Sequence, residues 1–231
     1  MLSRDEYLKL PMEQRFIPLD KEQNERANRL FNDLVTVDMH THVFGSLHFS
    51  FDYESVRQIG VTGLFEAVPN LEEDFDESMR ILGRYKSLVA SQPGLLNATK
   101  AEDIRKAKRE RKQAILYQLE PQTIGRKLER IEIAYGLGIR MMLLTFNTKN
   151  YLGDGCAERS NGGLSYLGIE VVERLNAIGI LIDLSHCGIQ TSLDACKYSK
   201  APVLFNHTGA RALNPPCKRL RTDEELRAVA N

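Results

Sequence analysis

Short apolar runs rich in β-branched residues recur along this chain, separated by longer stretches whose apolar residues fall at helical spacing. Six such runs stand out: 34–38, 60–65, 113–117, 141–145, 180–184 and 202–205. Most are continuously apolar rather than alternating, the pattern of a strand covered on both faces. Between them the spacing predicts helices over 77–90, 128–137 and 168–178. Two of these run into Gly138 and Gly179, each placed where a left-handed C-cap closes a last turn. Strands alternating with helices build a parallel sheet with helices packed against it. An open doubly wound sheet and a closed barrel share this pattern. No glycine-rich fingerprint follows the first strand, which weakens a dinucleotide-binding reading. The polar, helix-prone residues 1–33 read as an N-terminal helical extension, and residues 34–231 as one α/β domain.

Composition narrows the class. At 231 residues with 42% hydrophobic content, the chain can bury one sizeable core. Lysine plus arginine and aspartate plus glutamate both number 31, so nothing in the net charge asks for a nucleic-acid partner. The basic run from Arg105 to Lys112 has helical spacing and reads as a solvated helix face. The charged start, Met1-Leu2-Ser3-Arg4-Asp5-Glu6, is followed by no apolar leader, and no run reaches the roughly 18 apolar residues of a membrane span. Cys156, Cys187, Cys196 and Cys217 show no CxxC spacing, so reduced thiols, a cytoplasmic location and no membrane contact are the expectation.

The chemistry concentrates at strand ends. His40 and His42 close the first run, His186 follows the fifth and His207 the sixth, which accounts for four of the five histidines. In a parallel sheet or barrel those ends converge on one face, where active sites assemble. A spacing of two along a strand sends His40 and His42 to the same side. Imidazole is the commonest side-chain metal ligand, so a shared metal site is expected. Glu120 ends the third run, and a carboxylate there can bridge two cations roughly 4 Å apart. Asp38 and Asp183 suit either the orienting of imidazole rings or strand-end hydrogen bonding.

These residues, with Asn147 to Cys156, Gly163-Leu164-Ser165, Ile182-Asp183-Leu184-Ser185-His186 and Asn206-His207-Thr208-Gly209-Ala210-Arg211, resemble the membrane dipeptidase family, the M19 metallopeptidases of the amidohydrolase superfamily. The resemblance runs from about Leu34 to the C-terminus. It implies a TIM-type (β/α)8 barrel, here truncated after about six strand–helix units, that hydrolyses dipeptides with metal-activated water. It implies two zinc ions: His40 and His42 on one, His186 and His207 on the other, and Glu120 bridging as metal ligand and catalytic residue. Arg219 resembles the arginine that clamps the substrate carboxylate, a task suited to its planar fork. The chain departs from the family in three places. His40-Thr41-His42 stands where His-x-Asp is usual, Phe146 stands where many members have histidine, and Leu119 competes with Glu120 for the bridging position. A late-strand aspartate that handles the proton of the attacking water has no match, so negligible dipeptide turnover is expected of residues 1–231 alone. A small peptide is the expected partner, and an open barrel edge favours self-association. The alternatives are a truncated, non-catalytic metal-binding barrel, or an amidohydrolase acting on another amide or a lactone.

Overall fold

In the computed structural model residues 19–44, 60–69 and 74–231 are described, so residues 1–18 of the expected extension lie outside them. The described chain runs α1 (Lys21–Asp33), β1 (Val37–Thr41), β2 (Gly63–Val68), α2 (Phe75–Ser91), β3 (Leu95–Asn97), α3 (Ala101–Arg109), β4 (Gln113–Leu119), α4 (Glu129–Leu137), β5 (Ile139–Leu143), α5 (Tyr166–Ile178), β6 (Leu181–Asp183), α6 (Ile189–Tyr198), β7 (Val203–Leu204) and α7 (Asp223–Ala230). Every strand pairing is parallel. The strands follow the order β1-β2-β4-β5-β6-β7, with β3 paired to β4 off this path. The result is a curled parallel half-barrel, six strands along its path and β3 beside it, with the architecture of part of a TIM barrel.

Two faces of the sheet pack differently. Alternate side chains of β4, Ile115, Tyr117 and Leu119, join Leu82 of α2, Ile131 of α4 and Val171 of α5 in the larger core, beneath the helices. The intervening Ala114 and Leu116 face the concave side with Phe65 and Met141, and Ile104 and Ala107 of α3 cover that side. Strict alternation therefore leaves Gln118, and Glu120 beyond it, on the concave side.

Several strand boundaries differ from the sequence expectation. β1 begins three residues late because Leu34 and Val35 form an exposed lead-in from α1. Pairing is set instead at the entry, where the Thr62 N–H donates to the Thr36 carbonyl at 2.9 Å and Val37 aligns with Gly63. β3 escaped prediction because three residues carry no readable period. It fits because β4 gives its first half to β3 and its second half to β5 along the same edge. The helix ends match: Gly138 and Gly179 are left-handed C-caps with φ of 109° and 82°. No helix among the described residues is long and apolar enough to cross a membrane.

Candidate metal centre

The C-terminal rim of the sheet gathers the four histidines. His40 lies within β1 and His42 one residue beyond it. Their Nε2 atoms are 3.0 Å apart. His186 and His207 follow β6 and β7 and approach Nε2 to Nε2 at 2.9 Å. The two pairs adjoin, because the His40 and His207 rings stack at 3.7 Å between centroids and 7° between planes. Among the described residues no three His, Cys, Asp or Glu side chains meet around one point, so the imidazoles stand as two pairs.

Local backbone explains the placement. The carboxylate of Glu66, buried on β2, accepts the Thr41 hydroxyl at 2.7 Å and the N–H groups of Val43 and Phe44 at 2.9 and 2.8 Å. It thereby fixes the chain as it leaves His42. His186 has a left-handed φ of 66°, a costly conformation for a residue with a side chain and one that collects at functional sites. Its carbonyl accepts the Cys156 N–H at 2.7 Å. Gly155 lets the Phe146–Asn147 backbone pack closely against this segment, since a Cβ there would lie 2.2 Å from the Phe146 carbonyl oxygen.

Hydrogen bonds define which nitrogens are bare. The Nδ1 of His40 lies 3.0 Å from Gln118 Oε1, that of His186 lies 2.7 Å from Asn147 Oδ1, and that of His207 meets Asn206 Oδ1. An amide oxygen only accepts, so each Nδ1 carries hydrogen and each Nε2 presents a lone pair. For His186 and His207 two lone pairs then face each other at 2.9 Å, an unfavourable arrangement that a cation bound by both would relieve. A proton is disfavoured in that role. Burial, and then the neighbouring Arg219 and His40, hold His186 at about 3, and burial followed by His40 and Arg219 holds His207 at about 2. Burial and then His40 also lower His42. Neutral imidazoles with aligned lone pairs fit a divalent metal.

Glu120 is almost fully buried, and its Oε2 has no hydrogen-bond partner among the described residues. Burial, and then the charge of Asp183, push it up to about 7. Leu119 points the other way, into the helix-side core. A buried carboxylate oxygen without a partner costs free energy unless a donor or cation meets it, so Glu120 also fits a metal. Asp38 accepts the His40 backbone N–H at 3.1 Å. Asp183 accepts the Ser185 and Asn206 N–H groups at 2.9 and 3.3 Å, and stands 3.9 Å from His207 Nδ1. Arg219 donates to the His207 carbonyl at 2.7 Å and to Thr208 Oγ1 at 3.3 Å, which sets its guanidinium beside the second pair. Phe146 stacks on His186 at 4.2 Å.

Sequence reasoning missed the amides Gln118, Asn147 and Asn206. Two left a signal: Gln118 is two residues from Glu120 on the same strand face, and Asn206 adjoins His207.

A parallel half-barrel of the TIM type, with two histidine pairs on its C-terminal rim, is the class that the fold and site define. The profile of the membrane dipeptidase family, peptidase family M19, matches residues 24–231, and the chain belongs to that family. An uncharacterized dipeptidase of Schizosaccharomyces pombe is 37% identical over 101 residues, which cover 42% of this chain and 24% of that protein. A crystal structure of an amidohydrolase from Pseudomonas aeruginosa superposes with a TM-score of 0.80 at 29% identity, covering 88% of this chain and 61% of that one. The dipeptidase AC, a metallo peptidase of family M19, shares the fold with a TM-score of 0.75 at 20% identity, covering 85% of this chain and 69% of its own. The chain thus aligns with about a quarter of that curated relative and under two thirds of the first solved structure.

Proposed function

We propose that this chain forms the metal-binding part of a zinc-dependent dipeptidase. His40 and His42 hold one zinc ion, His186 and His207 hold a second, and Glu120 is shared between them. The observation that carries this reading is the His186–His207 pair, whose bare Nε2 atoms face each other at 2.9 Å with both Nδ1 atoms committed to amide oxygens. Bound zinc supplies Lewis acidity and makes water nucleophilic at neutral pH. The chain's own residues bind and orient. Arg219, steadied by the His207 carbonyl, directs its remaining N–H donors to the free carboxylate of a dipeptide. Phe146 walls the site beside His186 with an apolar face, where it shields that imidazole from water. A second reading, hydrolysis of another amide or of a lactone, is favoured by the 29% identity to the amidohydrolase and by Phe146.

Zinc titration of the metal-free chain tests the site. Two equivalents are expected, falling to one in both His42→Ala and His186→Ala. A single equivalent in the unmodified chain, or two in either variant, would overturn the assignment. Turnover of dipeptides, N-acyl amino acids and lactones is then compared in the zinc-loaded chain and in a chain carried on by two further strand–helix units. The longer chain is expected to hydrolyse dipeptides and the 231-residue chain to do so negligibly. Turnover of lactones alone would favour the second reading.

A further inference from the structure

Gln118 is fully buried on the concave face of β4, and every polar atom of its side chain is used. Its Nε2 donates to Asp183 Oδ2 at 2.9 Å. Its Oε1 accepts from His40 Nδ1 at 3.0 Å and from Asn206 Nδ2 at 2.9 Å. Asn206 Oδ1 in turn accepts the Ser185 hydroxyl at 2.9 Å and the His207 Nδ1 hydrogen. Two amides, Gln118 and Asn206, therefore join a histidine of the first pair to a histidine of the second, across β1, β4, β6 and β7.

We propose that Gln118 is a positioning residue that carries hydrogen-bond polarity from Asp183 to both histidine pairs, and so fixes which nitrogen of His40 and of His207 is left bare. The direction follows from what each group can do. The Asp183 carboxylate accepts and cannot donate, so the Gln118 NH2 group must face it. The Gln118 oxygen is then turned toward His40 and Asn206, and both must donate. Asn206 uses its NH2 group on Gln118 and on the Met39 carbonyl at 3.1 Å, so its oxygen is turned to His207. His40 and His207 are left with hydrogen on Nδ1 and a lone pair on Nε2, the atom that faces the neighbouring imidazole in each pair. Partners that orient ligand imidazoles in this way typically contribute about 10–100-fold to metal affinity. Their significance for metal rests on the zinc reading above, whereas the tautomers themselves do not.

The test uses the 231-residue chain and two isosteric variants. Asp183→Asn keeps the oxygen that the Ser185 and Asn206 N–H groups require, so its new NH2 group faces Gln118. The Gln118 amide must then turn over and present NH2 to His40, which forces the His40 hydrogen onto Nε2, and to Asn206, which must turn over in its turn and force the His207 hydrogen onto Nε2. Gln118→Met fills the same space and carries no polarity. Long-range nitrogen–proton NMR spectra of the metal-free proteins read each imidazole tautomer directly, and thermal melting confirms that each variant is folded. In the unmodified chain His40 and His207 are expected as the Nδ1–H form. Asp183→Asn is expected to convert His40 and His207 to the Nε2–H form, and Gln118→Met to leave His40 mixed, with zinc affinity lowered about 10–100-fold in both. If Asp183→Asn does not fold, Gln118→Met decides alone. An Nε2–H form of His40 or His207 in the unmodified chain would overturn the proposal, as would tautomers and zinc affinity unchanged in the folded variants. Failure of the unmodified chain to bind zinc would instead refute the metal reading, while the tautomer spectra would still decide this one.

Discussion

Asp154 organises the loop between β5 and α5 through one carboxylate. Its Oδ2 accepts the Gly162 N–H at 2.7 Å and the Ser160 hydroxyl at 2.8 Å, and Lys149 Nζ lies 3.5 Å from Oδ1. Burial by itself would raise its pKa. The Gly162 and Ser160 hydrogen bonds and the Lys149 charge outweigh that effect and hold it below the ordinary value. A carboxylate depressed in the folded state contributes stability that is fully present above its unfolded pKa of about 3.9, and loses it as pH falls through the folded value. Asp154→Asn keeps the shape but weakens bonds of a charged acceptor, a loss on the order of 1–3 kcal/mol. Urea unfolding at pH 7 should show that loss, and at pH 3 the gap between variant and parent should narrow. A gap that stayed constant across this range would mean that the charge plays no part.

Glycines divide the elements into those that need a backbone conformation and those that need room. Gly179 ends α5 with φ of 82°, and a Cβ there would meet nothing within 4 Å. Gly179→Ala therefore isolates the cost of the left-handed region, roughly 1–2 kcal/mol. Gly168 lies inside α5, where helix propensity alone would favour alanine by about 1 kcal/mol. Its Cβ would stand 2.1 Å from the Leu152 carbonyl, an overlap with backbone that cannot rotate away. Packing should win, with Gly168→Ala losing about 3 kcal/mol or more. A stabilised Gly168→Ala in urea titrations would show that the loop moves aside. The same contrast separates what was legible in the sequence from what was not. The C-cap glycines, the three long helices and the histidines near strand ends each leave a local signal of spacing or residue type. β3 did not, being three residues long and held only by its place beside β4. Nor did the site's amides, because Gln118 acquires its role from Asn206, 88 residues away.

At the scale of the whole molecule, β1 and β7 end the strand order and share no backbone ladder among the described residues. They nevertheless meet at the rim. Asn206, just past β7, donates to the Met39 carbonyl of β1 at 3.1 Å, and the rings of His40 and His207 stack at 3.7 Å. The curled sheet is therefore drawn together at its ends by the side chains proposed to hold metal. β1 is one edge of this order, laddered to β2, with Val37 and Asp38 exposed. Segments with so little burial open at a small fraction of the global unfolding free energy. Zinc that bound His40 and His42 only in the folded state would stabilise the site by about 2.7 kcal/mol at a hundredfold excess over its dissociation constant. That stabilisation should fall on β1 most, since its local opening breaks the site, while opening of the central β4 already requires global unfolding. Hydrogen exchange followed by mass spectrometry should show β1 amides exchanging faster than those of β4 in the metal-free chain. Zinc should slow β1 preferentially, and His42→Ala should abolish that protection while leaving any protection near His186. Equal slowing of all strands by zinc, or undiminished protection of β1 in His42→Ala, would show that the first histidine pair does not clamp the edge of the sheet.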